Sequence, residues 1–160
     1  YYHFKGHAQK SAELGEKILK GLKLDNKTIN SVVSLIKYHS EEYAADKTSV
    51  KMLLRDLGEE LTAKLFYLKL ADESAKADFP TQRYKNVLKL QEILREIIDK
   101  KECYCEKMLN INGNILKETG FCGKEIKEAE KKLLDAVISG EIQNNTEELK
   151  EYAEKLRNKK

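Results

Sequence analysis

The chain reads as an all-α protein, and three observations carry that reading. Apolar residues recur at three- and four-residue intervals nearly throughout. Lys, Glu and Leu are abundant, while the chain holds one proline and no tryptophan, a composition that favours helices over sheets. Asn, Asp, Ser and Gly fall where the periodic stretches start and stop. At 160 residues, 41% hydrophobic and 36% charged, the chain can form one domain, or two small helical units sharing a core.

Taken in order, Ala8, Ala12, Gly15, Leu19 and Leu22 form the first stripe, with Leu14 and Ile18 beside it and Gly21 near its end. Asp25 or Asn26 caps a second helix with Ile29, Val32, Val33 and Ile36 on one face, which His39 continues. Ser49 caps a third carrying Val50, Leu53, Leu54 and Leu57, and Gly58 stops it. Glu59 to Ala77 is the most apolar stretch, with Leu61, Leu65 and Leu68 on one side and Phe66 and Leu70 next to it, so it belongs at the centre of a bundle. Asp72 ends that face.

Phe79-Pro80 is the one proline break and the best internal boundary. Beyond it a long helix runs through Tyr84, Val87, Leu88, Gln91, Leu94 and Ile98, and a short one spans Asn112 to Glu118. The next carries Ile126, Leu133, Leu134 and Val137 and ends at Gly140. The last starts at Asn145-Thr146 and packs Leu149, Tyr152, Ala153 and Leu156, and the tail Arg157 to Lys160 should fray. No tandem repeat or low-complexity tract interrupts this order.

The net charge of +3 is too small to argue for nucleic-acid binding by itself. No apolar run is long enough to cross a bilayer and no leader pattern opens the chain, so a cytoplasmic protein without a membrane partner is expected. Cys103, Cys105 and Cys122 read as free thiols of a reducing compartment. Phosphate-loop, nucleophile-elbow, dinucleotide and H-E-x-x-H motifs are all missing, so no catalytic residue is assigned. Glutamates beside lysines, as in Lys124 to Lys132, read as solvated helix surface.

His7, His39 and Asp72 stand on three different helices at positions that face inward. A His or Asp there costs free energy unless hydrogen-bonded or ligated. Each is separately explained as a satisfied core residue; together they form a minimal metal-ligand set. His3 lies four residues before His7, with Gly6 between them, and reads as a mobile imidazole near the chain end.

The runs GHAQKSAEL, SLIKYH and KLADESAKAD resemble the second half of an HD domain, the helical metal-dependent phosphohydrolase fold. The closer resemblance is to the region that follows the catalytic head in bacterial CCA-adding tRNA nucleotidyltransferases, of the poly(A) polymerase family. Gly6-His7, His39 and Ala71-Asp72 with Ala75 match its motifs, as do Asn112-Gly113-Asn114, Gly120, Gly123, Gly140 and Asn145 in the later part. Ile115 stands where the family has an aspartate after Asn-Gly-Asn, and Ala8 follows His7 where an acid often stands.

The resemblance implies a partial HD-like helical domain over residues 1–78 and a tRNA-binding body and tail over 79–160. It also implies that the His-Asp doublet and the nucleotidyltransferase head, with its Mg²⁺, lie upstream of Tyr1. His7, His39 and Asp72 would then be an incomplete or vestigial site that binds a divalent metal weakly. The implied partners are the acceptor and T arms of tRNA and the missing amino-terminal domain. The backbone at Gly123-Lys124, at a helix start, is the preferred phosphate site, and Lys117, Lys127, Arg83 and Lys85 are further candidates, each equally explained as a solvated charge. A rival reading is an HD-type metal-dependent phosphatase or cyclic phosphodiesterase. A third is a scaffold whose tail mediates homodimerisation.

Overall fold

The computed structural model describes residues 7–76 and 80–158, with the side chain of His7 outside the description. Among the described residues the chain is all-helical: α1 His7–Gly21, α2 Asn26–Tyr38, α3 Lys47–Lys76, α4 Gln82–Asp99, α5 Gly113–Glu118, α6 Lys124–Ser139 and α7 Thr146–Asn158, with a 3₁₀ turn at Glu106–Met108. No described residue is in a strand. None of the described helices is long and apolar enough to cross a membrane.

The boundaries follow local chemistry. Asp25 is the N-cap of α2, its carboxylate accepting from Thr28 N–H at 2.9 Å, and Asn112 caps α5 by accepting from Asn114 and Ile115. Asn145 accepts from Glu148 N–H, while the Glu148 carboxylate accepts from Gln143 N–H and the Asn145 amide, at the start of α7. Gly140 ends α6 in the left-handed region at φ 78°. α1 ends at Gly21 as expected, and the left-handed residue of the following turn is Lys23, with Leu24 N–H bonding back to Leu19 O. The same turn recurs after α4, with Lys101 left-handed and Glu102 N–H on Ile97 O. Gly58 interrupts α3 as expected, at φ 75° and ψ 174°, a region open essentially to glycine alone.

The chain forms two compact units, Tyr1–Asp46 with Leu57–Arg95, and Lys47–Asp56 with Glu96–Lys160. α3 and α4 therefore each contribute to both. The boundary read from the sequence at 78/79 lies outside the described residues. In the first unit α1 packs on α2, and Ala12, Ile29, Leu65, Phe66, Val87, Leu90 and Leu94 are buried. The second unit is centred on α6, whose Ala129, Leu133, Leu134, Val137 and Ile138 pack with Leu116, Phe121, Leu149 and Ala153.

Several expectations need correction. Ser49, expected to cap the third helix, lies inside α3, which begins at Lys47. Leu14 and Ile18 on α1, and Leu22 just after it, are exposed, because α2 covers the Ala12 face. On α4 the buried line is Val87, Leu90, Leu94 and Ile97, and Leu88 is exposed, so the inward face is turned from the expected one. Arg157 is helical rather than frayed, tied to Glu125 and lying 5.8 Å from the Phe121 ring centre.

Candidate functional site

His39, Asp72 and Arg83, drawn from the ends of α2, α3 and α4, line one cavity of about 510 Å³ in the first unit. α2 ends at Tyr38, and the last carbonyls of a helix lack intrahelical partners. Lys69 of α3 meets the chain just beyond that end: its ammonium donates to the carbonyl of the cap residue His39 at 2.7 Å and to that of Glu41 in the following loop at 2.5 Å. The same ammonium lies 5.1 Å from the Tyr43 ring centre, within cation–π range. Asn86 of α4 donates to Tyr43 O at 2.9 Å, so the loop after α2 is clasped by both α3 and α4. Val87 and Leu90 supply the apolar part of the lining.

The acidic side is built around Glu73. Asp72, expected to face inward, is exposed on α3 and paired with Lys76 at 2.5 Å. Its neighbour Glu73 is the buried carboxylate. Glu73 accepts from Thr81 Oγ1 at 2.9 Å and from Lys76 Nζ at 3.1 Å. Thr81 in turn accepts from Tyr84 N–H at 3.0 Å, which makes it the N-cap of α4. One hydroxyl thus joins the end of α3 to the start of α4 across Pro80.

Burial would raise the Glu73 carboxyl, but the Thr81 and Lys76 hydrogen bonds outweigh it and hold it below its ordinary range. Burial pulls the Lys69 ammonium below its usual value against the opposing pull of Glu41, Glu42, Asp72 and Glu73. A general acid near neutral pH needs a carboxyl pushed up, and Glu73 is held down. Arg83 is ion-paired with Glu42, which engages one RNA-contact candidate inside this cavity.

Of the metal-ligand set read from the sequence, His39 and Asp72 have described side chains, and each has another partner. His39 is half-buried rather than fully inward, and its Nδ1–H donates to Ile36 O at 2.6 Å. Asp72 is held by Lys76, and the His7 side chain lies outside the described residues. Among the described residues no group of three His, Cys, Asp or Glu side chains could hold a metal ion.

The remaining sequence candidates divide between the units. Lys85 is exposed on α4 in the first. Lys117, Gly123, Lys124 and Lys127 belong to the second, all of them exposed. Gly123 is the N-cap of α6 at φ 52°, ψ −121° and makes no side-chain cap. The Glu125 carboxylate already accepts there, from Cys122 N–H at 3.4 Å and from Arg157 Nη1 at 3.4 Å. Lys117, Lys124, Lys127 and Lys131 have no ion-pair partner within 4 Å among the described residues.

Sequence reasoning missed Lys69, Glu73, Thr81 and Arg157. For Thr81 a signal existed, a threonine directly after the proline break and three residues before Tyr84. Lys69 and Arg157 carry no such signal, because their partners lie about thirty residues away along the chain.

The fold defines an all-helical domain among the described residues. The chain belongs to the family of tRNA nucleotidyltransferase domain 2, whose family model matches residues 5–153. No curated protein and no solved structure matched it.

Proposed function

We propose that this chain is the tRNA-holding part of a tRNA nucleotidyltransferase that acts in 3′-end processing, and that nucleotide addition belongs to a catalytic head outside these residues. The family match over residues 5–153 carries the reading. The exposed lysines of the second unit support it, since ammonium groups left in water are available to phosphates. By the resemblance, the contacted parts of the tRNA are the acceptor and T arms.

The grip is electrostatic and therefore salt-dependent. Each phosphate neutralised adds about 0.7 to 0.9 to the slope of log affinity against log salt. Lys117, Lys124 and Lys127 together account for a slope of roughly 2 to 3. Fluorescence anisotropy with a tRNA transcript, titrated from about 50 to about 200 mM salt, measures it. Lys124→Ala and Lys127→Ala should each lower the slope by about 1. No binding at the lowest salt would refute the holding role. Incorporation of CTP or ATP into tRNA by the isolated chain with Mg²⁺ would refute the separate head.

A further inference from the structure

The cavity of the first unit contains cations of its own. Lys69 enters it half-buried, with four carboxylates, those of Glu41, Glu42, Asp72 and Glu73, acting electrostatically on its ammonium. Two of its three donors are committed, to His39 O and Glu41 O. Lys76 lies within hydrogen-bond distance of both Asp72 and Glu73. Between them the two lysines cover two main-chain carbonyls and two carboxylates. Those are hard oxygen donors, the type that Mg²⁺, Mn²⁺ and Ca²⁺ take as ligands.

A divalent ion entering this cavity would have to displace ammonium groups already hydrogen-bonded to its ligands, and would be repelled by both. We propose that Lys69 and Lys76 are the resident cations of this cavity, occupying with their ammonium groups the oxygen donors that a divalent ion would otherwise coordinate. Of the residues that the sequence reads as metal-binding, Asp72 is thereby paired by the chain's own Lys76. Lys69 additionally locks the loop after α2 against α3, so the replacement serves the fold as well as the charge balance.

The experiment is Mn²⁺ binding to the untagged chain, read by isothermal titration and by loss of the free-ion paramagnetic resonance signal. The wild-type chain should show no saturable binding in the micromolar range. Lys76→Met removes an exposed ammonium and leaves Asp72 and Glu73 in place, and should bind Mn²⁺ at least about tenfold more tightly. Lys69→Met should gain at least as much, whereas Lys76→Arg keeps the charge and should gain nothing. Circular dichroism monitors folding, and if Lys69→Met loses its helical signal, Lys76→Met decides by itself. Micromolar binding by the wild type, or folded Lys→Met variants that bind no tighter than wild type, would overturn the proposal.

Discussion

Thr81→Ala removes two hydrogen bonds with one hydroxyl, and its cost can be worked from their geometry. The Tyr84 N–H loses its cap acceptor at 3.0 Å, worth about 1 kcal/mol for a helix N-cap. The buried Glu73 carboxylate loses its 2.9 Å donor, and a hydrogen bond to a charged group contributes about 1.5 to 3 kcal/mol. Thr81 is itself only half-buried, which favours the low end of that range, so the sum is roughly 2 to 3 kcal/mol at neutral pH.

The two parts separate by pH. Glu73 is held below its ordinary value of 4.5, so its contribution is present above the carboxylate range and is lost as pH falls through the folded-state value. Without Thr81 the carboxyl moves upward, because burial is then opposed by Lys76 with less help. The penalty of the variant should therefore be largest near pH 7 and shrink toward about pH 3, as falling pH protonates Glu73 and leaves roughly the 1 kcal/mol of the cap. Urea denaturation followed at 222 nm at both pH values measures this, with Thr81→Ser expected to retain most of the stability. An equal penalty at both pH values, or one under about 0.5 kcal/mol at pH 7, would refute the shared role of this hydroxyl.

Gly58→Ala meets no atom within 4 Å yet must adopt a glycine-only conformation, so it should cost about 1 to 3 kcal/mol in the same assay. Lys101→Gly does the reverse: it relieves a left-handed residue at φ 51° and should stabilise by up to about 1 kcal/mol, seen as a higher denaturation midpoint. Leu134→Ala opens a hole beside the fully buried Leu133 in the α6 core and should cost about 2 to 5 kcal/mol by chemical denaturation. Burial and the neighbouring Cys105 push the Cys103 thiol up to about 11, whereas Cys122 is exposed. An aromatic disulfide at about pH 8 should label Cys122 first and Cys103 last, with the order read by mass spectrometry of digests.

Elements whose causes are local were legible in the sequence. The stops and caps at Asp25, Gly58, Asn112, Gly140 and Asn145 are set by residues within one turn of where they act. The 3.6-residue period identified eight helical stretches, two of which form the single kinked helix α3, because it is a property of neighbours along the chain. Face assignment was less secure. Asp72 and Glu73 differ by about 100° around α3, and either can be taken as inward until the packing partner is known. The same ambiguity turned α4 from Leu88 to Leu90.

By itself, then, the sequence determined an all-α chain, most of its caps and stops, and its kinship to tRNA nucleotidyltransferases. Only the tertiary structure decided which carboxylate is buried, and that Lys69 holds the His39 and Glu41 carbonyls that follow α2. It alone joined Thr81 to Glu73 and Arg157 to Glu125. The reason is physical: a helix is specified by bonds four residues apart, whereas these pairings form wherever packing brings distant side chains within about 3 Å.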